Sequence, residues 1–444
     1  MFDKEFQKLF DLANKKNIDK FDFILSSNKS LSIKVFRQEI ENFTSSDQIG
    51  LGVRVINGKK VGYAYTEKFD EESFAGMLEE ALENSRIIED EEEIKLQDFE
   101  DIEKKIKIYY PELEEIPIKD KKNLAMQLES IPLSYDKRVI AVPYAIYGDS
   151  IRFIKIANSE GLNKEYKTNG AYSFAYCLAR GENMNKSGNY MDNSHKFSEI
   201  NSKKIGETAA QRALDLLGAK NIESGKYPVI FHHDEAATML QTFASIFSAK
   251  KVQEGQSLLR GKLEQEIANN KVNIIDDALY EKGFGTRPFD GEGYPSQRTE
   301  LIKHGVLNSY IHNTITAKKA ATKSTGNASR SYKGSVGVSS SNMFFLKGNK
   351  KKQDLYKMAP KSIEIVSLAG MHSGCNPISG DFSLSAEGFV CDKDGRKYPI
   401  QNFTISGNFL SMLQKVTAIA DDLELNSNNF GSPSLLVEEL DISG

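Results

Sequence analysis

The spacing of apolar residues predicts alternating helices and strands in the first part of the chain. Residues 31–66 alternate in strand fashion, with Asn57-Gly58 placed where a tight hairpin turn is expected. Residues 71–88 return to helical spacing. The first segment is also an amphipathic helix, since its apolar residues fall on one stripe: Phe2, Phe6, Leu9, Phe10 and Ala13. Together these segments predict helices layered on an antiparallel sheet.

A second unit with similar patterning follows. The sequence predicts a short helix near residues 121–130 and a helix over residues 205–217 that ends at Gly218. Between them we expect a loop at residues 181–194, which are rich in Asn, Gly and Ser. The predicted strands of this unit cover residues 139–147, 151–158 and 171–179.

Beyond residue 222 the apolar runs shorten and glycines become frequent, so this part should be β-rich, with a helix over residues 234–248. The predicted fold class is α+β. The mixed α/β half divides into subdomains at 1–95 and 96–221, and the β-rich domain covers 222–444. The acidic run at 89–93 is interpreted as part of a solvated linker.

Composition narrows the function classes. The chain has 58 basic and 62 acidic residues, a net charge of −4, and no strongly basic face, which argues against nucleic acid as a partner. Three scattered cysteines are too few for a disulfide framework. No signal-peptide core or membrane-spanning stretch is evident, so we expect a soluble cytoplasmic protein.

The stretch HHDEAATML, residues 232–240, suggests metal chemistry because it places two histidines and two carboxylates together. It also fits an ordinary amphipathic helix with Asp234 at its amino end as a cap. A zinc helix of the HExxH type needs two histidines one turn apart, and that spacing is absent here. The helix interpretation explains most of these residues.

Other candidate chemistry is weaker. His372 and Cys375 lie three residues apart in a glycine-rich run, but a lone pair of this kind is more often a tight loop than a zinc site. Residues 289–295 and 324–330 are rich in small polar residues and glycine, as expected either of loops around a cleft or of ordinary surface turns. The sequence contains no GxSxG, Walker A or GxGxxG motif.

Several blocks in order nevertheless resemble the modulator-of-gyrase family, which comprises TldD and TldE, the latter also called PmbA. No single block is sufficient, but together they run through nearly the whole chain. The blocks are GLGVRVINGKKVGYAYT, NSEGL, SGKYPVIF, GKLEQEI, DGEGYPSQRTELIKHGVLNSYI, STGNASR and SGCNPISGDFSLSAEGF.

The resemblance implies a zinc peptidase motif, HExxxH, in TldD-like members, with a further cysteine ligand near the carboxyl terminus. Here Asp234 stands at the first histidine, Glu235 at the glutamate and Met239 at the second histidine. No cysteine follows Cys391, and Asn428, Asn429 and Phe430 occupy the region of the cysteine ligand. The chain is therefore expected to be of the TldE type, without a metal site or a catalytic residue of its own.

The resemblance also implies partners. We expect a TldD-like zinc peptidase subunit, a peptide or unfolded protein substrate, and a homodimer as a further possibility. On family analogy, Arg330, His372 and Cys375 are candidates for peptide contact. Two alternatives stay open: a self-sufficient metallopeptidase using His232 or His233 with His372 and Cys375, and a regulatory protein of the gyrase-modulator type.

Overall fold

The computed structural model describes residues 2–87, 94, 96 and 106–444. The acidic run at 89–93 lies outside the described residues, as does residue 95 at the predicted subdomain boundary. None of the helices in the described ranges combines the length and apolar character that crossing a membrane requires.

A six-stranded antiparallel sheet is the frame of the amino-terminal half. Its order is β3-β2-β1-β4-β5-β6, so strands from both sides of residue 95 join one sheet. A two-residue turn with Gly58 at a φ of 64° links β2 to β3. The strands are β1 (Phe21–Phe36), β2 (Glu39–Asn57), β3 (Lys60–Thr66), β4 (Val139–Asn158), β5 (Asn163–Arg180) and β6 (Asn185–Ser194).

Helices cover one face of this sheet. The apolar sides of α1 and α2 pack on one end of the sheet, and those of α4 and α5 pack on the other. The opposite face receives loops of the carboxyl-terminal half, including Phe289 and Tyr332. The elements are α1 (Asp3–Lys15), α2 (Glu71–Ile87), α3 (Glu112–Glu115), α4 (Ile118–Tyr135), a 3₁₀ turn (Phe197–Glu199) and α5 (Ser202–Asp215).

The carboxyl-terminal half contains two further six-stranded sheets and a two-stranded ribbon. The sheet orders are β16-β15-β14-β7-β20-β17 and β10-β9-β8-β13-β19-β18, and β11 pairs with β12. The strands are β7 (Gly225–Phe231), β8 (Ile274–Asp277), β9 (Arg298–Lys303), β10 (Val306–Leu307), β11 (Ala328–Ser329), β12 (Gly337–Val338), β13 (Met343–Phe345), β14 (Ile363–Ala369), β15 (Asp381–Asp392), β16 (Gly395–Asn408), β17 (Val416–Ile419), β18 (Glu424–Leu425), β19 (Phe430–Ser432) and β20 (Leu435–Ser443).

The helices of this half are short, and α6 is its central helix. Met239, Leu240 and Phe243 of α6 enter a core that both large sheets share. The helices are α6 (His233–Phe243), a 3₁₀ turn (Ala244–Phe247), α7 (Ala249–Gln253), α8 (Thr314–Lys319), α9 (Lys352–Met358), α10 (Met371–Gly374) and α11 (Phe409–Gln414).

The predicted fold class is confirmed, but two local predictions are wrong and a third needs a small change of bounds. Residues 185–194 form β6 instead of a loop, because pairing with β5 outweighs their turn-like composition. The strands predicted at 139–147 and 151–158 are one strand, paired on both sides through Asp149. The helix predicted over 234–248 begins at His233 and tightens to 3₁₀ geometry at Ala244.

Candidate functional site

A polar cleft of about 950 Å³ lies between the central part of the chain and the carboxyl-terminal half. One wall comes from β6 and α5, and the other comes from the first turns of α6 together with β14, β15 and residues 423–427. The side chains that line the first turns of α6 are His232, Asp234, Glu235 and Thr238. The structure therefore places the degenerate zinc motif at a cleft rather than on an outer surface.

His232 connects the end of β7 to the start of α6. Its backbone N–H donates to the Ile365 carbonyl at 3.0 Å, and its ring Nδ1 accepts the Asp234 amide at 3.4 Å. The cap of the helix is therefore His232, and the sequence prediction that Asp234 caps it is wrong. Burial, together with the Lys352 ammonium and the neighbouring His233 ring, holds the pKa of His232 well below its ordinary value.

Asp234 binds a cation from the opposite wall. Its Oδ2 lies 2.7 Å from Arg212 Nη2 on α5, and its Oδ1 lies 3.1 Å from His233 Nδ1. Burial favours the neutral carboxyl, but His233 and Arg212 outweigh it and hold the pKa of Asp234 well below its usual range. The position that the resemblance assigns to a zinc-binding histidine thus carries a carboxylate that forms an ion pair with Arg212.

Glu235, the retained glutamate, has the opposite electrostatic character. Burial, with the Asp234 carboxylate beside it, raises the pKa of Glu235 to about 8. The backbone N–H of Leu368 on β14 and the charge of Arg212 oppose this rise but do not cancel it. At neutral pH the side chain is therefore largely a neutral carboxylic acid, which can donate a hydrogen bond, rather than a general base.

A buried carboxylate fixes the wall behind the cleft. Glu364 on β14 is fully buried and accepts two bonds from Arg396, at 2.7 and 3.0 Å, and one from Tyr356 Oη at 2.8 Å. Lys352 Nζ lies 2.7 Å from the same carboxylate. Although burial favours its neutral form, these cations hold the pKa of Glu364 well below its usual range. The network positions Arg396, whose side chain lines the cleft.

The segment near the carboxyl terminus packs against α6, as the resemblance implies for the region of the missing cysteine ligand. Gln241 Oε1 accepts a bond from Asn426 Nδ2 at 2.9 Å and one from Asn428 Nδ2 at 3.4 Å. Neutral amides thus join the tail to the helix here, and amides are poor ligands for zinc.

The residues at the motif positions do not fit a zinc ion. Zinc in proteins is held tetrahedrally by nitrogen, sulfur and carboxylate ligands. Met239 is 1% exposed and packs in the core, while Asp234 lines the cleft, as expected for residues about 140° apart on a regular helix. Within the described ranges, His232, His233 and Asp234 alone form a group of three possible ligands within 4.8 Å. Two of these are already engaged: Asp234 pairs with Arg212, and His232 Nδ1 accepts a hydrogen bond from the backbone N–H of Asp234.

None of the three predicted peptide-contact residues is among the residues that line the cleft. The Arg330 side chain is 1% exposed and forms an ion pair with Asp22 of β1. His372 is exposed on α10, which follows β14, and Cys375 packs beside the carboxyl-terminal core. Their role in peptide contact stays a prediction. His372 and Cys375 do not join the group of His232, His233 and Asp234 in the described part of the chain.

Sequence reasoning missed Arg212, Glu364 and Arg396. Each lies on an element distant in sequence from α6, and an arginine on an amphipathic helix or a single charge in an apolar strand is no signal by itself. Only the tertiary arrangement brings Arg212 and Arg396 to the cleft and places Glu364 in the wall behind it.

Comparison with known proteins agrees with this architecture. Three domain models of one family match in order: PmbA/TldA metallopeptidase domain 1 over residues 21–85, the central domain over 111–217, and the C-terminal domain over 224–444. The chain belongs to the PmbA/TldD metallopeptidase family.

Individual relatives span almost the whole chain. A metalloprotease PmbA homolog of Buchnera aphidicola is 25% identical over 97% of this chain and 94% of its own length. The structure of a putative modulator of a DNA gyrase from Thermotoga maritima superimposes with a TM-score of 0.93 at 29% identity, covering both chains completely. TldE from Thermococcus kodakarensis shares the fold, with a TM-score of 0.90 at 20% identity over 98% of this chain and 100% of its own.

Proposed function

We propose that this chain is the non-catalytic, TldE-type subunit of a two-subunit zinc peptidase, in which a TldD-like partner supplies the metal. The observation that carries the proposal is the environment of the two residues that stand where the motif has histidines. Asp234 is paired with Arg212, and Met239 is buried in the core. Without a metal-bound water, Glu235 has no nucleophile to activate.

The role of the cleft is to hold an extended segment of peptide substrate. Strand β14 pairs with β7 over residues 363–365 and no further. On that side of β14, residues 366–369 therefore have no partner strand in the described part of the chain. Val366 and Ser367 line the cleft beside Glu235. A peptide can add to this edge through backbone hydrogen bonds, a mode of binding that depends little on side-chain identity.

The test is to purify this chain and a TldD-like partner, separately and after co-expression, and to assay cleavage of an unfolded polypeptide. We expect cleavage by the co-expressed pair and no zinc in this chain alone. Chelator-sensitive cleavage by this chain alone would overturn the proposal. So would stoichiometric zinc that disappears in a His372→Ala, Cys375→Ala double variant, since that result would establish the self-sufficient metallopeptidase.

A second experiment tests the peptide-binding edge. In Ser367→Pro the residue loses its backbone N–H, and proline is poorly tolerated in a strand that must pair. The matched control is Ser383→Pro on β15, which lies in the same sheet away from the residues that line the cleft. We expect the first variant to lower affinity for a fluorescent unfolded peptide more than the second does. Equal losses would indicate general damage to the sheet.

A further inference from the structure

Three stacked rings join the central part of the chain to the carboxyl-terminal half. His195 lies directly after the end of β6, and its ring is stacked between those of Tyr110 and Phe284. The ring centroids are 5.5 Å apart on the Tyr110 side and 4.6 Å apart on the Phe284 side, with interplanar angles of 19° and 15°. His195 is only 8% exposed, so its ring is a buried part of this ring stack.

Asn169 of β5 holds two of the three rings in place. Its side chain accepts the Tyr110 backbone N–H at 3.0 Å and donates to the Tyr110 carbonyl at 2.8 Å. Its backbone carbonyl accepts a hydrogen bond from His195 Nδ1. Because a carbonyl oxygen can only accept, Nδ1 carries the proton of the neutral ring and Nε2 carries the lone pair.

The third ring belongs to a loop of the carboxyl-terminal half that also lines the cleft. Phe284 packs against Gly170 of β5, where a Cβ atom would lie 2.0 Å from Phe284 Cε1, so this contact requires glycine. Tyr280 and Lys282 of the same loop line the cleft. The Thr286 hydroxyl donates back to the Tyr280 carbonyl and closes the loop on itself. A change at Phe284 is therefore passed on to side chains in the cleft.

The second nitrogen of His195 has no hydrogen-bond partner. Nε2 is buried, and no donor or acceptor among the described residues bonds to it. Protonation of the ring would turn Nε2 into a charged donor that lacks an acceptor, and a buried, unpaired charge is costly. Stacking on two aromatic faces offsets a part of this cost but does not supply the acceptor.

The charged groups around the ring stack do not supply it either. The Glu199 carboxylate favours a protonated His195, but it already accepts bonds from Ser194 at 2.6 Å and from Lys196 at 2.8 Å. Burial outweighs Glu199 and lowers the pKa of His195 below its ordinary value. The other charged residues on the packed segments are Lys107 and Glu112 near Tyr110 in the chain, Lys167 on β5, and Glu281, Lys282 and Arg287 on the loop.

We propose that the ring stack is a pH switch, which holds the cleft-lining loop against β5 and β6 while His195 is neutral and releases it when His195 is protonated. Release exposes the ring to water, which gives Nε2 an acceptor. Since the released ring binds a proton more tightly than the stacked ring does, a falling pH populates the released loop. The inference does not depend on the proposed function, because it concerns the loop and not the metal or the substrate.

The first test uses a tryptophan reporter, because the chain contains no tryptophan of its own. Lys282→Trp places the reporter on the loop, at an exposed position that lines the cleft. We expect its fluorescence anisotropy to fall as the pH is lowered from about 8 to about 5. The fall should approach the value given at every pH by a second protein that also carries Phe284→Ala and so lacks the third ring.

Two matched variants remove the titration and keep different parts of the contact. His195→Phe keeps an aromatic ring in the stack, and His195→Gln keeps a donor for the Asn169 carbonyl. Neither side chain can be protonated, so the anisotropy of the reporter should stay high across the whole pH range in both. Five of the six histidines remain in each variant, which controls for titration elsewhere.

The second test is a direct titration of the histidine rings by NMR. The signal that is missing from His195→Gln belongs to His195. It should titrate at a lower pH than the signal of His304, which is exposed.

The inference is wrong if the reporter shows no fall in anisotropy when His195 is present. It is also wrong if the fall is equally large with His195→Phe and His195→Gln, since another group would then cause it. A His195 signal that titrates together with His304 or above it would likewise overturn the inference, because the stack would then tolerate the charged ring.

Discussion

Two aspartate–arginine contacts of this chain have similar chemistry and different surroundings. In the cleft, the Asp234 side chain is 37% exposed and that of Arg212 is 31% exposed. Between the amino-terminal sheet and the loops of the carboxyl-terminal half, Asp22 is 4% exposed, and it binds Arg54 and Arg330, which are 2% and 1% exposed. The buried contact joins two parts of the chain out of reach of solvent, whereas the cleft contact holds its charges where solvent reaches them.

A second buried carboxylate, Glu292, also binds Arg54 of this contact. Arg54 Nη1 lies 3.1 Å from Glu292, which in turn accepts the Thr314 backbone N–H at 3.0 Å. Burial favours a neutral Asp22, but Arg330 and Arg54 outweigh it and lower the pKa of Asp22. A conspicuous arginine in a glycine-rich loop, Arg330, is thus buried in an ion pair between two parts of the chain, while a less conspicuous one, Arg212, lines the cleft.

The largest expected effect comes from breaking the buried contact. Asp22→Ala leaves Arg330 without its carboxylate and Arg54 with Glu292 alone, so the free energy of unfolding should fall by about 3–5 kcal/mol. Chemical denaturation measures this loss. A loss under about 1 kcal/mol would mean that water reaches the cluster and screens its charges.

A second large effect is expected at Met239, the other altered motif position. Because this side chain is 1% exposed in the shared core, Met239→Ala should lower the free energy of unfolding by about 2–5 kcal/mol. Met239→Leu, which conserves volume, should cost less than about 1.5 kcal/mol. If alanine and leucine cost equally little, the side chain would belong to the cleft and not to the core.

Glu235 should make stability depend on pH. Its pKa is about 8 in the folded chain and about 4.3 in an unfolded one. The folded chain therefore holds a proton that the unfolded chain releases, and the free energy of unfolding should fall as pH rises through this window. Glu235→Gln, which mimics the neutral acid, should remove this part of the decline. Parallel denaturation profiles of the two proteins across the window would contradict the assignment.

The smallest effect is expected at Asp234 itself. Asp234→Ala should change the free energy of unfolding by no more than about 1 kcal/mol, since ion pairs that reach solvent contribute little. Its main consequence should be on Glu235, whose pKa should fall when the neighbouring negative charge is removed. The pH profile of Asp234→Ala, compared with that of the wild type, checks this shift.

Those helices and turns that depend on nearby residues in the chain could be predicted from the sequence. Helices α1 and α2 and the turn at Gly58 follow from apolar periodicity and turn chemistry. Strand β6 does not, because its asparagines and serines favour a turn and only the neighbouring β5 makes them a strand. Likewise, alignment with the HExxxH motif identified Asp234 and Met239 as altered positions. It did not identify Arg212, the partner of Asp234, which lies on a different helix 22 residues earlier.

The position of β1 in its sheet has a consequence for the time course of synthesis. Strand β1 lies in the middle, with β2 on one side and β4 on the other, and β4 is complete only at Asn158. A ribosome that adds 5–20 residues per second needs on the order of 5 to 20 s to extend the chain from the end of β3 to that point. During this interval the nascent chain presents an incomplete sheet, so a delay in translation there prolongs its exposure to other unfolded chains.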